Sequence, residues 1–299
     1  MHVNNSLPTG FSDRLAGEDA IRHRAIQIAT RISENSAMSE GKVIAEKNGH
    51  MGHVIFDNTK KHNAMSKAMW DQLAEAMQAF DAEEDIRVVV MEGAGEKAFV
   101  SGADISQFES EHANLDRVKA YSTSVNRGYG AVQHAKKPTI AKINGYCYGG
   151  GMGIAICTDL RICSEKSSFC IPAAKLGVGY GHENTKVLVD LVGPSFTKEI
   201  FYTGRRFSAE EAKDMGLVNR VIKFDDLDDY VDGYVDAMVS NAPLSLRTTN
   251  LTVNELLKPE SERNITLCQK LAEDCATSKD IEEGRQAFME KRKPEFVGR

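Results

Sequence analysis

No stretch of this chain stays apolar for the roughly 20 residues that a helix needs to cross a bilayer, so no membrane span is expected from it. Positive charge is also in short supply, since 37 Lys and Arg against 43 Asp and Glu leave a formal net charge of −6. That balance, with no Lys-rich helix, argues against a nucleic-acid-binding surface, though a local basic patch for phosphates is compatible with it. The 6 cysteines, Cys147, Cys157, Cys163, Cys170, Cys268 and Cys275, include no C-x-x-C pair. Four of them lie in apolar stretches, and core thiols in a reducing cytoplasm explain them better than disulfides or a metal site. A nucleophilic role for Cys147 lacks any neighbour in sequence that would lower its pKa. No internal repeat is readable. With 41% hydrophobic and 27% charged residues over 299 positions, the chain reads as globular, either one domain with an appendage or two.

Residues 1–37 differ from the rest of the chain: a polar, Gly- and Pro-containing opening precedes a single helical stripe of Ile21, Ala25, Ile28 and Ile32. A leader or start-site artefact is one reading. A mitochondrial presequence is another, which Arg22, Arg24 and Arg31 suit and Asp13, Glu18, Asp19 and Glu34 oppose. From Lys42 the patterns alternate. Strands are expected at Lys42–Glu46, His53–Phe56, Val88–Glu92 and Asp159–Ser164. Helices are expected from Ser66 with Met69, Leu73, Met77 and Phe80 on one face, over Leu115–His134 with Val118, Tyr121, Val125, Tyr129 and Val132 in a stripe, and over Lys186–Val192, ended by Gly193-Pro194. After Phe201 strands largely disappear. There Ser208 with Glu211 forms a capping box and Gly216 a stop, which predicts a helix over Ser208–Met215. This is α/β order with loops at strand ends.

Two turns carry chemical information. In Ala141–Ala155 a short strand meets Gly149, Gly150 and Gly151 and then a small-residue helix, which leaves N–H groups at a helix start where positive charge collects. Lys97–Ile105 is a second strand ending in a small-residue turn through Gly102, Ala103, Asp104 and Ile105. Two such donors suit a carbonyl oxygen becoming an enolate. Together with Lys60–Met65, Ser208–Val218 and Gly284–Arg292, these segments resemble the crotonase (enoyl-CoA hydratase/isomerase) superfamily, and the likeness runs from about Lys42 to the C-terminus. The resemblance implies an α/β spiral of β-β-α units over 38–204 that binds acyl-CoA. It further implies a helical C-terminal region over 205–299 that packs subunits as a homotrimer or dimer of trimers, with residues 1–37 outside both. It places the oxyanion donors at the amides of Ala103 and Gly150, with Gly102, Asp104, Ile105, Gly149 and Gly151 around them. It also brings Lys60, Lys61, His62 and Ala64 to the CoA moiety, with Lys291, Arg292 and Lys293 as further cations. Coenzyme A enters as part of the substrate, and no other cofactor or metal is implied.

One departure stands out. Hydratases of the superfamily use two glutamates, and the matching positions here are Gly153 and Ala173. Water addition needs a base and a proton source, each typically worth 10²–10⁴-fold, so the chemistry must be carried differently. The loop Leu176–Thr185 offers Tyr180, which falls where methylmalonyl-CoA decarboxylases of the superfamily carry a tyrosine, together with His182 and Glu183. Each also has a structural reading: Tyr180 as a gap filler, Glu183 as a helix-dipole partner, His182 as a solvated loop residue or a proton shuttle, and Asp104 as a brace of its turn. Glu109 and Glu111 follow the first turn as solvent-facing or pocket carboxylates. The resemblance therefore implies an enoyl-CoA hydratase/isomerase-like lyase with a non-standard acid/base. Decarboxylation of a malonyl-type thioester and a non-catalytic acyl-CoA-binding protein are the alternatives.

Truncation to Met38 is expected to leave the melting temperature and particle size nearly unchanged, as read by calorimetry and light scattering. A large drop in either would mean that the leader helix completes the core.

Overall fold

The computed structural model describes residues 41–104 and 115–299. The stripe within residues 1–37, Ile105, Glu109 and Glu111 lie outside the described residues. The first elements are β1 (Lys42–Asn48), β2 (Met51–Asp57), α1 (Lys67–Ala82), β3 (Val88–Gly93), β4 (Ala98–Val100), α2 (Leu115–Gln133), β5 (Thr139–Ile143), β6 (Tyr146–Tyr148) and α3 (Gly150–Cys157). These are followed by β7 (Leu160–Ser164), β8 (Ser168–Cys170), α4 (His182–Thr203), β9 (Phe207–Ser208), α5 (Ala209–Asp214), β10 (Arg220–Ile222), α6 (Leu227–Ser240), α7 (Pro243–Leu256), α8 (Ile265–Ala276) and α9 (Lys279–Glu290).

The strands divide between a six-stranded sheet, β1-β2-β3-β5-β7-β10, and a four-stranded sheet, β4-β6-β8-β9. Three successive units, β3-β4-α2, β5-β6-α3 and β7-β8-α4, each send their first strand to the large sheet and their second to the small one. This is the β-β-α spiral. Local sequence explains the two strand types: β2 alternates between covered and partly covered residues, whereas Val88, Val89, Val90 and Met91 of β3 are all buried, as a parallel strand covered on both faces requires. Ser66 caps α1 by accepting from the Met69 amide at 3.2 Å. The inner face of that helix, with Met69, Trp70, Leu73, Met77 and Phe80, joins the main core. Cys147, Cys157, Cys163 and Cys170 are buried free thiols.

Two sequence expectations are modified. The Gly193-Pro194 break is real, with Gly193 at φ 76°, yet helical backbone begins earlier at His182 and resumes beyond the break to Thr203. Proline has no N–H to lose at the first position of a new helix, so Pro194 ends one segment and starts the next. Secondly, the stretch after 204 is not only helical: β9 pairs with β8 and β10 with β7, and Leu227, Val231 and Val235 of α6 cover the back of the large sheet over Val88, Val90, Ile140 and Ile162. The capping box of α5 is present at Ser208 and Glu211, and Gly216 takes φ 80°.

The turn before α1 is fastened by Asn63. Its Oδ1 accepts from the Asn58 amide at 3.0 Å, and its Nδ2 donates to the carbonyls of Ala94 and Ala98 at 2.9 and 2.8 Å. It also holds a left-handed backbone, φ 58°, which Asn tolerates better than alanine. Asn63→Ala orphans three backbone groups at once, two in buried and one in part-buried hydrogen bonds, so a loss of about 2–4 kcal/mol in denaturant-unfolding free energy is expected. A loss under about 1 kcal/mol would show that this anchor is dispensable.

Candidate active site

Parallel pairing of β4 with β6, Val100 opposite Cys147, brings the ends of both strands to the same edge. The first turn leaves β4 through Gly102 at φ 118° and meets Met65, whose amide donates to the Gly102 carbonyl at 2.8 Å while the Asp104 amide donates to the Met65 carbonyl at 2.9 Å. Ala103, bridged in between, spends neither of its own groups on that pairing. The second turn leaves β6 through Gly149, φ 49° and ψ −114°, and enters α3 at Gly150. It is pinned by the Gly149 amide donating to Cys170 at 2.8 Å and the Gly153 amide donating to Gly149 at 3.0 Å. The two turns abut, since a Cβ on Gly102 would lie 3.9 Å from the Gly150 nitrogen. Among the described residues, neither the Ala103 nor the Gly150 amide has a hydrogen-bond partner within the protein. Gly151 is required for a different reason: a Cβ there would lie 2.2 Å from the Val100 carbonyl oxygen, so only glycine lets α3 sit this close to β4.

Aromatic side chains wall the second turn. Tyr129 of α2 is buried, donates to the Gly150 carbonyl at 3.3 Å and meets Trp70 edge to face at 4.8 Å between ring centroids. Trp70 lies with its ring edge 3.0 Å from where a Gly150 Cβ would be, and its indole N–H is buried without a partner among the described residues. Tyr180 packs partly covered against the same core, edge to face with Phe201 at 5.1 Å. Burial pushes the Tyr180 hydroxyl up to about 12, with Cys170 and Tyr121 adding to the effect. Burial raises the Tyr129 hydroxyl well above the usual tyrosine value, reinforced by Tyr180 and Cys157. Both phenols are therefore neutral donors near neutral pH. The same effect raises the Cys147 thiol well above its ordinary value, which removes the thiolate a nucleophile would need.

At the far end of α3, the buried Arg161 guanidinium donates to the carbonyls of Leu217 at 2.8 Å, Ala155 at 3.4 Å and Thr158. A cation there satisfies carbonyls that a helix end leaves open and complements its negative pole. The positive pole, at Gly150, faces the paired turns.

The remaining candidate residues fall in different places. Asp104 is buried and ion-paired with Lys61 at 2.7 Å, so it braces its turn and draws Lys61 toward it. Lys60 and His62 are exposed, and the His62 ring stands edge to face with Tyr146 at 5.8 Å. Ala64 is buried, with its carbonyl accepting from Asn58 Nδ2 at 2.8 Å. His182 and Glu183 are exposed in the first turn of α4, with Glu183 placed to favour the helix dipole. Arg292 is held by Glu283 at 2.6 and 2.9 Å and by Glu290 at 2.6 Å, away from the role of a free phosphate ligand. Ala173 is buried and, like Gly153, brings no carboxylate. In the sequence Tyr129 reads only as part of an apolar stripe. The signal that marks it is glycine at 153, where a Cβ would lie 2.3 Å from the Tyr129 hydroxyl oxygen. No group of three or more His, Cys, Asp or Glu suited to a metal occurs among the described residues, and none of their helices is long and apolar enough to cross a membrane.

The chain is thus a spiral of β-β-α units in which two abutting glycine turns leave the Ala103 and Gly150 amides without a partner among the described residues. The family model described as enoyl-CoA hydratase/isomerase matches residues 46–299, and the chain belongs to that family, within the crotonase superfamily. A carnitinyl-CoA dehydratase of Salmonella enteritidis is 33% identical over 258 residues, covering 85% of this chain and 97% of that protein. A short-chain-enoyl-CoA hydratase of Clostridium acetobutylicum is 30% identical over 258 residues, covering 86% of this chain and 98% of that protein. Among solved structures, an enoyl-CoA hydratase/carnithine racemase from Magnetospirillum magneticum superposes with a TM-score of 0.81 at 32% identity, covering 88% of this chain and 97% of that one.

The raised pKa of Tyr180 has a definite sign. The folded state holds this proton more tightly than the unfolded chain, so the contribution is intact below about pH 10 and is lost as pH rises toward about 12. Against Tyr180→Phe, the parent should lose unfolding free energy only above about pH 10, as followed by denaturant midpoints. A divergence beginning near neutral pH would contradict the buried placement of this hydroxyl.

Proposed function

We propose that this protein acts on acyl-CoA thioesters through an enolate whose oxygen is held by the amides of Ala103 and Gly150. The observation that carries this reading is the abutment of two glycine turns with both amides unpaired. A thioester carbonyl seated between them gains stabilisation as negative charge builds on its oxygen, each donor being worth about 3 kcal/mol. The names of the relatives point to 2-enoyl-CoA hydration or the reverse elimination as the reaction type. Lys60 and His62, exposed beside the first turn, suit the CoA phosphates. Assembly as a homotrimer or dimer of trimers is part of the same proposal, supported by Phe288 and Met289 of α9, which are 82% and 80% exposed.

A second reading is favoured by one observation: both usual carboxylate positions, Gly153 and Ala173, are empty of acid, and the phenols near the turns are neutral. Decarboxylation of a malonyl-type thioester needs no base. The bond between the α-carbon and the carboxylate breaks, its electron pair passes into the enolate, CO₂ departs, and a proton then returns to the α-carbon. Tyr180 would orient the departing carboxylate, with His182 and Glu183, in the first turn of α4 just after it, as rival acid/base groups.

Turnover on a panel of 2-enoyl-, 3-enoyl- and malonyl-type CoA thioesters separates these readings. On the substrate found, Gly150→Pro should lower kcat by about 10²–10³-fold through loss of one donor. Tyr180→Phe should lower it at least about tenfold if its hydroxyl serves the chemistry, and Glu183→Gln tests the competing base in the same way. Thermal stabilisation by CoA thioesters without conversion of any of them would instead mark a binding protein.

A further inference from the structure

The empty position at 153 is occupied by a side chain from elsewhere in the chain. A Cβ on Gly153 would lie 2.3 Å from the Tyr129 hydroxyl oxygen and 2.6 Å from its Cζ, so the end of the phenol rests on the Gly153 backbone. Tyr129 cannot withdraw, because it is buried against Trp70, and Trp70 in turn fits only because residue 128 is glycine, where a Cβ would come within 2.8 Å of the indole Cε3. Trp70, Gly128, Tyr129 and Gly153 thus form one interlocked unit, and it touches Gly150 twice: the indole edge against its α-carbon and the Tyr129 hydroxyl on its carbonyl.

A run of three glycines has the most backbone freedom to lose, about 1–2 kcal/mol per residue fixed. Gly149 is tied by its amide to Cys170, and Gly151 is confined by the Val100 carbonyl. The peptide that carries the Gly150 amide is fixed through the Gly149 carbonyl, which accepts from the Gly153 amide at 3.0 Å, and the next peptide, which carries the Gly150 carbonyl, is where Tyr129 bonds, with Trp70 against the residue between the two. We propose that Tyr129 is a positioning residue: its hydroxyl, seated in the space of the absent carboxylate side chain, holds the Gly150 carbonyl and with it the first turn of α3, so that Gly150 cannot pivot between its two fixed peptides and its amide keeps the direction the oxyanion needs. This rests on the enolate reading and deepens it. The site has exchanged an acid at 153 for a neutral donor that makes the oxyanion turn rigid. Burial raises the pKa of that hydroxyl further above neutrality, so it stands beside Gly150 as a neutral donor near neutral pH.

The test uses the full chain and a cinnamoyl-CoA bearing a para-dimethylamino group, whose absorption moves to the red as its carbonyl is polarised. It needs neither turnover nor the natural substrate. The parent is expected to bind the probe with a red shift. Tyr129→Phe keeps the ring and its packing, so probe affinity should stay within about twofold while the red shift falls by at least about half, the first turn of α3 being less firmly held around the amide. With a turned-over substrate, the same variant should lower kcat with little change in KM. A parent that fails to bind or to shift the probe overturns the enolate reading, and the role of Tyr129 with it. A parent that shifts and a Tyr129→Phe variant that shifts equally overturns the positioning role alone. Should Tyr129→Phe prove unstable, Gly153→Ala pushes the hydroxyl off Gly150 from the other side. Binding with a diminished shift is again expected, and an undiminished shift refutes the proposal.

Discussion

Everything at the candidate site depends on the pairing of β4, β6 and β8, three strands of three residues each that lie side by side in the smaller sheet. Strands this short contribute little stability of their own. They are aligned because each is the second strand of a β-β-α unit whose first strand is locked into the large sheet. Alignment brings Gly102, Gly149 and Cys170 to one edge, and one backbone bond, from the Gly149 amide to the Cys170 carbonyl, joins the second turn to its neighbour strand. The abutment of the two turns is therefore a product of long-range topology, although each turn is locally encoded by small residues.

That division explains what could be read from the chain alone. The apolar run Val88–Met91, the stripe of α1 and the Ser208–Glu211 capping box are local patterns, and each appears where its periodicity or spacing places it. The glycine turns were legible too, because the positive φ of Gly102 and Gly149 needs the residue type that stands there. Strand partnership was not legible: nothing near Phe207 or Arg220 announces that β9 and β10 will extend sheets begun more than a hundred residues earlier. Nor was the environment of Tyr129. On a helix stripe beside Val125 and Val132 it reads as one more apolar contact, and only the fold reveals that its hydroxyl ends over Gly153.

The electrostatics around α3 are lopsided. Arg161 closes the carbonyl end of this short helix from within the core, and burial lowers its guanidinium to about 10. The amide end meets uncharged aromatic walls. The charged pair nearest to it, Asp104 with Lys61, belongs to the first turn and is closed on itself.

The contact between Tyr129 and Gly153 also bears on how such a chain can change over generations. Because the phenol fills the room above residue 153, introducing an acid there by a single substitution drives its first side-chain carbon into the Tyr129 ring, while removing the phenol first leaves a buried gap in the core. The two positions are therefore coupled: an acid at 153 fits only together with a smaller residue at 129, so the pair changes jointly or not at all.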